Sequence, residues 1–249
     1  LGHSLFVALL GYLFGAEQAW HTQADQASFT ARFARLFLGS DDDALVTAIR
    51  ELGEITYLSV HGYYQSVWQT ALFAHATAPV FTAPQPVNAT FIDQGRIATG
   101  PFQFDAAWGR AVRKRLAAVR GVFAKFATRR GADEFGVLPY WIFAVDTLDC
   151  AARKLAAFGA GGRATPAERD AIRKQLKQLR RRFETLWLAR NRPSEIRVTL
   201  ARYDLAIRGD QVKVTVEPGG AAGAVRIELR NIGEHAVSGR VRLQLTPVD

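Results

Sequence analysis

The sequence has no methionine, a single cysteine and no apolar run long enough to cross a bilayer. Because a natural start is missing, we expect Leu1 to begin a piece cut from a longer protein. One cysteine excludes an internal disulfide framework, and Cys150, in a predicted helix, is expected to be a buried small hydrophobe. The longest nearly apolar run has about twelve residues, whereas a membrane helix needs about twenty, so no membrane contact is predicted.

Positive charge is concentrated in the middle of the chain, which has 249 residues and a formal net charge of +9. Lys and Arg outnumber Asp and Glu by 20 to 8 over residues 101–192, against 4 to 8 over residues 1–100. Such a basic block is typical of a chain that binds an anionic polymer. Its aromatics, however, belong to apolar stripes, so solvated helix faces account for the charge and no nucleic-acid partner is predicted.

The most hydrophobic stretch, Leu5–Trp20, reads LFVALLGYLFGAEQAW. Periodicity alone does not separate a buried strand from a core helix in a run of this length. We interpret it as the last parallel strand of a (β/α)8 barrel, with a turn of helix before it as an option. Barrel chemistry lies at the carboxyl ends of the strands, where Glu17 and Trp20 would stand. The alternative is a paired edge carboxylate and a core aromatic.

The segment Gly15–Trp20, GAEQAW, followed by a Phe-rich helix, resembles the end of the barrel in glycoside hydrolase family 20, the β-N-acetylhexosaminidases. It is most similar to the subgroup that carries a helical domain after the barrel. The resemblance implies that Trp20 forms one wall of the pocket that holds the N-acetylhexosamine ring. It also implies that Glu17 braces the strand end.

The same resemblance implies a reaction. Family 20 enzymes hydrolyse terminal N-acetylhexosamine residues by substrate-assisted catalysis, with an adjacent Asp and Glu on a middle barrel strand. That strand is expected to precede Leu1. The resemblance therefore implies a carbohydrate substrate, no cofactor, and no catalytic residue in this piece, which alone is expected to be inactive while its parent is active. A homodimer is left open.

Apolar residues at helical spacing predict that the region after this segment is mainly helical. We expect a helix over Ser28–Leu38, ended by Gly39, and further helical pieces over residues 44–76 with a break at Gly62. Three aspartates, Asp41–Asp43, favour the start of a helix electrostatically. They lack the alternating ligand spacing of a calcium loop, so no metal site is predicted.

Three long helices are predicted after residues 77–104, which contain four prolines and are interpreted as an irregular loop. Short connections between the helices predict an antiparallel bundle. Thr165 and Pro166 open the third helix as N-cap and first residue, and Glu168 would complete a capping box. The three apolar stripes are Trp108, Val112, Leu116, Val119, Phe123 and Phe126; Ile142, Val145, Leu148, Ala152, Leu155 and Phe158; and Ile172, Leu176, Leu179, Phe183 and Leu186.

Two further groups are candidates for a cleft or an interface. Tyr64 and Trp68 belong to a dense aromatic group that would face a sugar pocket, although helical spacing favours core packing. Trp187 and Arg190 lie in LWLARNRPSEI, residues 186–196, which also resembles the end of the helical domain in the hexosaminidase subgroup. The resemblance implies that they reach the substrate or a neighbouring subunit. A capped helix end accounts for them equally well.

The period of apolar residues changes to two from Ser194 onward, as in Val212, Val214 and Val216. This alternation predicts a β-sandwich-like module of immunoglobulin type. The predicted fold class is α+β, mainly α, with the end of a barrel in residues 1–40, a helical bundle in 41–193 and the β module in 194–249. Two other functions stay open: an interaction protein whose basic bundle binds an anionic polymer, and a carbohydrate enzyme of another barrel family.

Overall fold

A computed structural model describes residues 5–56, 58–60, 67–73, 87–93, 96–102, 105–129, 133, 135–159, 161–194, 196–208, 212–218 and 225–231. It is mainly helical, as predicted, and divides into two compact units, residues 1–207 and 208–249. The helices are α1 (Leu5–Trp20), α2 (Gln26–Leu38), α3 (Asp43–Thr56), α4 (Val67–Phe73), α5 (Ala106–Ala127), α6 (Leu138–Phe158), α7 (Pro166–Leu188) and α8 (Ile196–Arg208). The strands are β1 (Leu58–Val60), β2 (Val87–Asp93), β3 (Arg96–Phe102), β4 (Val212–Pro218) and β5 (Val225–Asn231).

The stretch that we interpreted as a barrel strand is helix α1, so the strand interpretation is wrong. Four leucines and three alanines, all good helix formers, outnumber its one β-branched residue, Val7. A helix satisfies its backbone hydrogen bonds within itself, whereas a strand needs a neighbour, and no described strand pairs with this stretch. No described helix, α1 included, combines the length and apolarity needed to span a bilayer.

Helix α2 packs against α1 and carries the predicted end. Gly39 adopts a left-handed conformation at φ 73° and its N–H donates to the carbonyl of Arg35, as a C-terminal glycine should. The beginning differs from the prediction, because the Asp25 carboxylate accepts from the Ser28 N–H at 2.7 Å and caps the helix three residues earlier. The Phe14 and Phe29 rings, 5.2 Å apart, join the two helices.

The three predicted long helices are confirmed as α5, α6 and α7, with most of their stripe residues buried. Polar pairs run in opposite order along neighbouring helices, so the packing is antiparallel. The Thr165 hydroxyl accepts from the Glu168 N–H at 3.1 Å, as predicted. The Glu168 side chain does not complete a capping box, because it pairs with Arg153 of α6 at 2.7 Å.

Two predictions are wrong, one of an irregular loop and one of strands that begin at Ser194. Residues 87–93 and 96–102, within the expected loop, form the antiparallel hairpin β2–β3, and β1 pairs with β2. Strands were expected from Ser194, but residues 196–208 form α8, which buries Ile196, Tyr203 and Ala206 at helical spacing. In the second unit, β4 and β5 pair antiparallel where alternation was predicted. The described strands of the second unit form this hairpin only, and the predicted sandwich is not shown. Gly62, where a helix break was predicted, and residues 238–245, where a bulge and a further strand were predicted, lie outside the described residues.

Two of the most buried groups of the first unit lie together on α6. Cys150 is fully buried, as predicted, and burial raises the pKa of its thiol to about 12. Lys154, one turn later, is also fully buried, and its Nζ donates a 2.8 Å hydrogen bond to the Leu72 carbonyl near the C-terminal end of α4. Burial lowers the pKa of Lys154 from 10.5 to about 8. A cation at a helix C-terminus is electrostatically favoured, which offsets part of the cost of burying it.

The contact between α5 and α6 predicts opposite effects for two glycines of one helix. A Cβ added at Gly109 would lie 2.7 Å from the Ala156 nitrogen and 2.8 Å from the Ala152 oxygen, whereas one at Gly121 meets nothing within 4 Å. We expect Gly109→Ala to lower the free energy of unfolding by about 2 kcal/mol or more. Gly121→Ala should raise it by up to about 1 kcal/mol. Urea denaturation of both variants measures this, and equal effects would contradict the described contact.

The buried lysine predicts a pH-dependent stability. Between pH 8 and 10.5 the unfolded chain binds more protons at Lys154 than the folded chain, so stability rises with pH in that window. The free energy of unfolding of wild type relative to Lys154→Met should therefore rise by at most about 1.4 kcal/mol per pH unit there, and stay flat below it. Both chains should carry Cys150→Ala, because Cys150 and Lys154 shift each other's pKa and the thiol would titrate in the same window. Denaturation across the window measures it.

The matched control is Lys125→Met, which removes an exposed lysine from α5. The difference between wild type and this control should not change across the same window. If the difference for Lys154→Met also stayed constant, Lys154 would not be a buried cation in the folded chain.

Candidate functional site

The structure brings the two residues of the sugar-binding prediction together at an open groove between α1 and α2. Trp20 ends α1 with 89% of its surface exposed, and Glu17 lies one turn earlier. Both line this groove, the Trp20 groove, which has a volume of about 490 Å³, and its remaining wall is mainly aromatic and aliphatic. That wall comprises Leu13, Ala16, Phe29, Phe33, Leu36 and Phe37, together with Arg32.

A short polar network holds the carboxylate at the groove. The Glu17 Oε1 accepts a 2.7 Å hydrogen bond from the Arg32 guanidinium and lies 3.8 Å from the His21 Nδ1. Glu17 is about one-third exposed and Arg32 more than half exposed, so both remain within reach of a ligand. Sequence reasoning missed Arg32, although its position three residues after Phe29 on a helix places it beside the apolar stripe.

This arrangement combines an exposed aromatic surface with polar groups at one side. An indole presents an apolar face against which the C–H face of a neutral sugar ring packs. The carboxylate and the guanidinium can accept and donate hydrogen bonds to hydroxyl or amide groups at the ring edge.

The second aromatic group does not join the groove. Trp68 is 2% exposed, its Nε1 donates to the Ile55 carbonyl at 2.7 Å, and its ring stacks on Trp108 at 5.1 Å. Its placement in the core means that it faces no cleft in this structure, in line with its helical spacing. Tyr64 lies outside the described residues.

The end of α7 is held by hydrogen bonds of its own. The Trp187 Nε1 donates to the Arg192 carbonyl at 2.9 Å, and Arg190 donates to the Phe135 carbonyl at 2.7 Å. The Phe135 ring in turn lies 5.6 Å from that of Phe37, which lines the groove. Trp187 and Arg190 are not among the described residues that line the groove, and Arg190 supports the loop that carries Phe135.

An adjacent Asp and Glu do occur at residues 133 and 134, but Asp133 has a structural role. Its carboxylate accepts from the N–H groups of Val137 and Leu138 at 2.6 and 2.9 Å, at the beginning of α6. Burial raises the pKa of this carboxyl group, although both hydrogen bonds oppose the shift. Asp133 has a positive φ of 60°, which this turn imposes. Glu134 lies outside the described residues.

A second concave surface, the α6–α7 cleft, has a volume of about 760 Å³ and is lined mainly by charged side chains. Asp146 lies at its floor and binds both Arg120 of α5, at 2.6 Å, and Arg182 of α7. One turn along α6, Asp149 accepts from Arg113 at 2.9 Å and from Gln175 at 3.0 Å. The floor acids are thus already paired with α5 and α7.

The rim of the α6–α7 cleft carries positive charge without such pairing. Lys174 and Arg181, both exposed, form no ion pair with any described residue. Arg153 also lines the cleft, and its guanidinium binds Glu168. Glu168 is not among the described residues that line the cleft. The sequence located this charge as a block but could not show that it borders a concavity.

Two of the three aspartates at the beginning of α3, Asp41 and Asp42, are paired within the protein. Asp41 pairs with Arg35, and Asp42 pairs with Arg129 while accepting from the Ala44 N–H at 3.0 Å. Hydrogen bonds from these arginines lower the pKa of both carboxyl groups. Within the part of the chain that the structure describes, no three His, Cys, Asp or Glu side chains are grouped as metal ligands.

Comparisons with protein-family profiles, with curated proteins and with solved structures found no match.

Proposed function

We propose that this chain supplies a sugar-binding surface to a glycoside hydrolase of the β-N-acetylhexosaminidase kind. The observation that carries the proposal is the exposed indole of Trp20 beside the paired carboxylate of Glu17, in the segment on which the resemblance rests. In this proposal the N-acetylhexosamine ring packs on Trp20, and its polar edge meets Glu17 and Arg32.

Burial supports this assignment of roles. A tryptophan that serves only the core is normally covered, as Trp68 is at 2% exposure, whereas Trp20 leaves 89% of its surface open. The groove beside it is largely apolar, with one carboxylate and one guanidinium, which is the composition of a site for a neutral ligand that needs orientation.

The hydrolytic part of the proposal lies in the parent protein. There the adjacent Asp and Glu that family 20 enzymes use would stand on a barrel strand outside these residues. Helices α1 and α2 would then lie at the edge of that barrel, and α1 would not be one of its strands. The helical bundle would support this edge, with the β4–β5 hairpin belonging to an accessory module.

Removing the indole should abolish most sugar binding. We expect Trp20→Ala to weaken binding of N,N′-diacetylchitobiose to the chain by about tenfold, since losing an aromatic contact costs about 1 kcal/mol or more. Trp20→Phe should retain part of the affinity. Saturation-transfer NMR compares the affinities of wild type and both variants, and the labelled Trp20 indole N–H of wild type should shift on titration.

The matched control is Tyr12→Ala, which removes another large aromatic of α1, 68% exposed, that does not line the groove. The control should bind as wild type does. A wild-type chain that shows no contact with the disaccharide, or equal losses in both variants, would overturn the assignment of the groove.

The chain alone should hydrolyse nothing. We expect no turnover of a chromogenic N-acetylglucosaminide by residues 1–249, and turnover by the longer protein that carries them, because the reactive acids are assigned to the parent. Turnover by residues 1–249 would contradict this division. Absence of turnover in the longer protein, with sugar binding intact, would leave a binding module in place of a hydrolase.

A further inference from the structure

We propose that the α6–α7 cleft binds an anionic polysaccharide, one that bears carboxylate or sulfate groups. The site is separate from the Trp20 groove and does not depend on the function proposed above. It is built from the exposed cations Lys174 and Arg181 on its rim, with Gln178 between them on α7.

The charge of the cleft favours an anion. Among the described residues, five cationic side chains line it against two carboxylates, and these are already bonded: Asp146 to two arginines, Asp149 to Arg113 and Gln175. These pairs hold the cleft in shape without neutralising its rim. An anion bound between Lys174 and Arg181 would therefore meet charge that no described acid compensates.

The dimensions and chemistry of the cleft favour a polysaccharide. Lys174 and Arg181 stand seven residues apart on one helix, about 10 Å along its axis, which suits charges on separate sugar units better than a single oxyanion. The side-chain amide of Gln178 also lines the cleft and suits sugar hydroxyls, whereas that of Gln175 is already bonded to Asp149 and Arg153. No aromatic side chain of the described residues lines it, so nucleobases would find no stacking surface there.

The test uses the chain as it is, with a heparin-derived hexasaccharide as the probe. We expect binding at low salt that weakens as salt is raised, because the contact is electrostatic. The double variant Lys174→Gln/Arg181→Gln should bind at least about tenfold more weakly. The side-chain amide signals of Gln175 and Gln178 should shift on titration of wild type. Both substituted side chains are exposed, so thermal unfolding should match wild type.

The matched control, Lys114→Gln/Lys125→Gln, removes the same charge from exposed positions of α5 that do not line the cleft. It should retain wild-type affinity to within about twofold. Equal losses in both double variants would reduce the effect to net charge and overturn the site. The polysaccharide assignment would be overturned if a single-stranded oligonucleotide bound more tightly through the same two cations, or if inorganic sulfate alone did. The absence of hexasaccharide binding at low salt would overturn it as well.

Discussion

The structure of the first unit depends on how closely α6 is held between α5 and α7. On one side the missing side chain of Gly109 lets α5 approach the α6 backbone at Ala152 and Ala156. Across the surface, Asp146 and Asp149 each bind a residue of α5 and a residue of α7. Apolar packing alone leaves neighbouring helices free to slide, whereas these shared acids pair defined positions. The resulting register of α5, α6 and α7 also forms the α6–α7 cleft.

The packing of α6 between α5 and α7 also supports the Trp20 groove, although only through the turn that precedes α6. The turn before α6 is held by the Asp133 carboxylate and by Arg190 from the end of α7, and it carries Phe135 against Phe37 of α2. The groove wall is therefore supported by the bundle, although the described residues that line it lie on α1 and α2. The aromatic stripe of α2 therefore contacts both the turn before α6 and α6 itself, where the Phe33 ring stacks on that of Trp141 at 5.9 Å.

Much of the bundle was predictable from sequence because its signals are local. Helical spacing located α5, α6 and α7, Thr165 located the start of α7, and Gly39 located the end of α2. The failures arose where local signals are ambiguous. Leu5–Trp20 is apolar on all sides, so its period does not choose between strand and helix. The polar partners of the sites, such as Arg32 and the rim cations, depend on which helices meet, which spacing does not reveal.

The two concave surfaces differ in the property that decides what they can bind. In the Trp20 groove the Glu17 carboxylate and the Arg32 guanidinium neutralise each other. An ion bound there would lose hydration energy and gain little electrostatic energy in exchange. A neutral ring, by contrast, gains apolar contact there. In the α6–α7 cleft the acids are already paired with arginines and the rim is cationic, so a neutral ligand would find mostly hydrated charge. The two proposed ligands, a neutral sugar and an anionic one, would therefore occupy separate surfaces without competing.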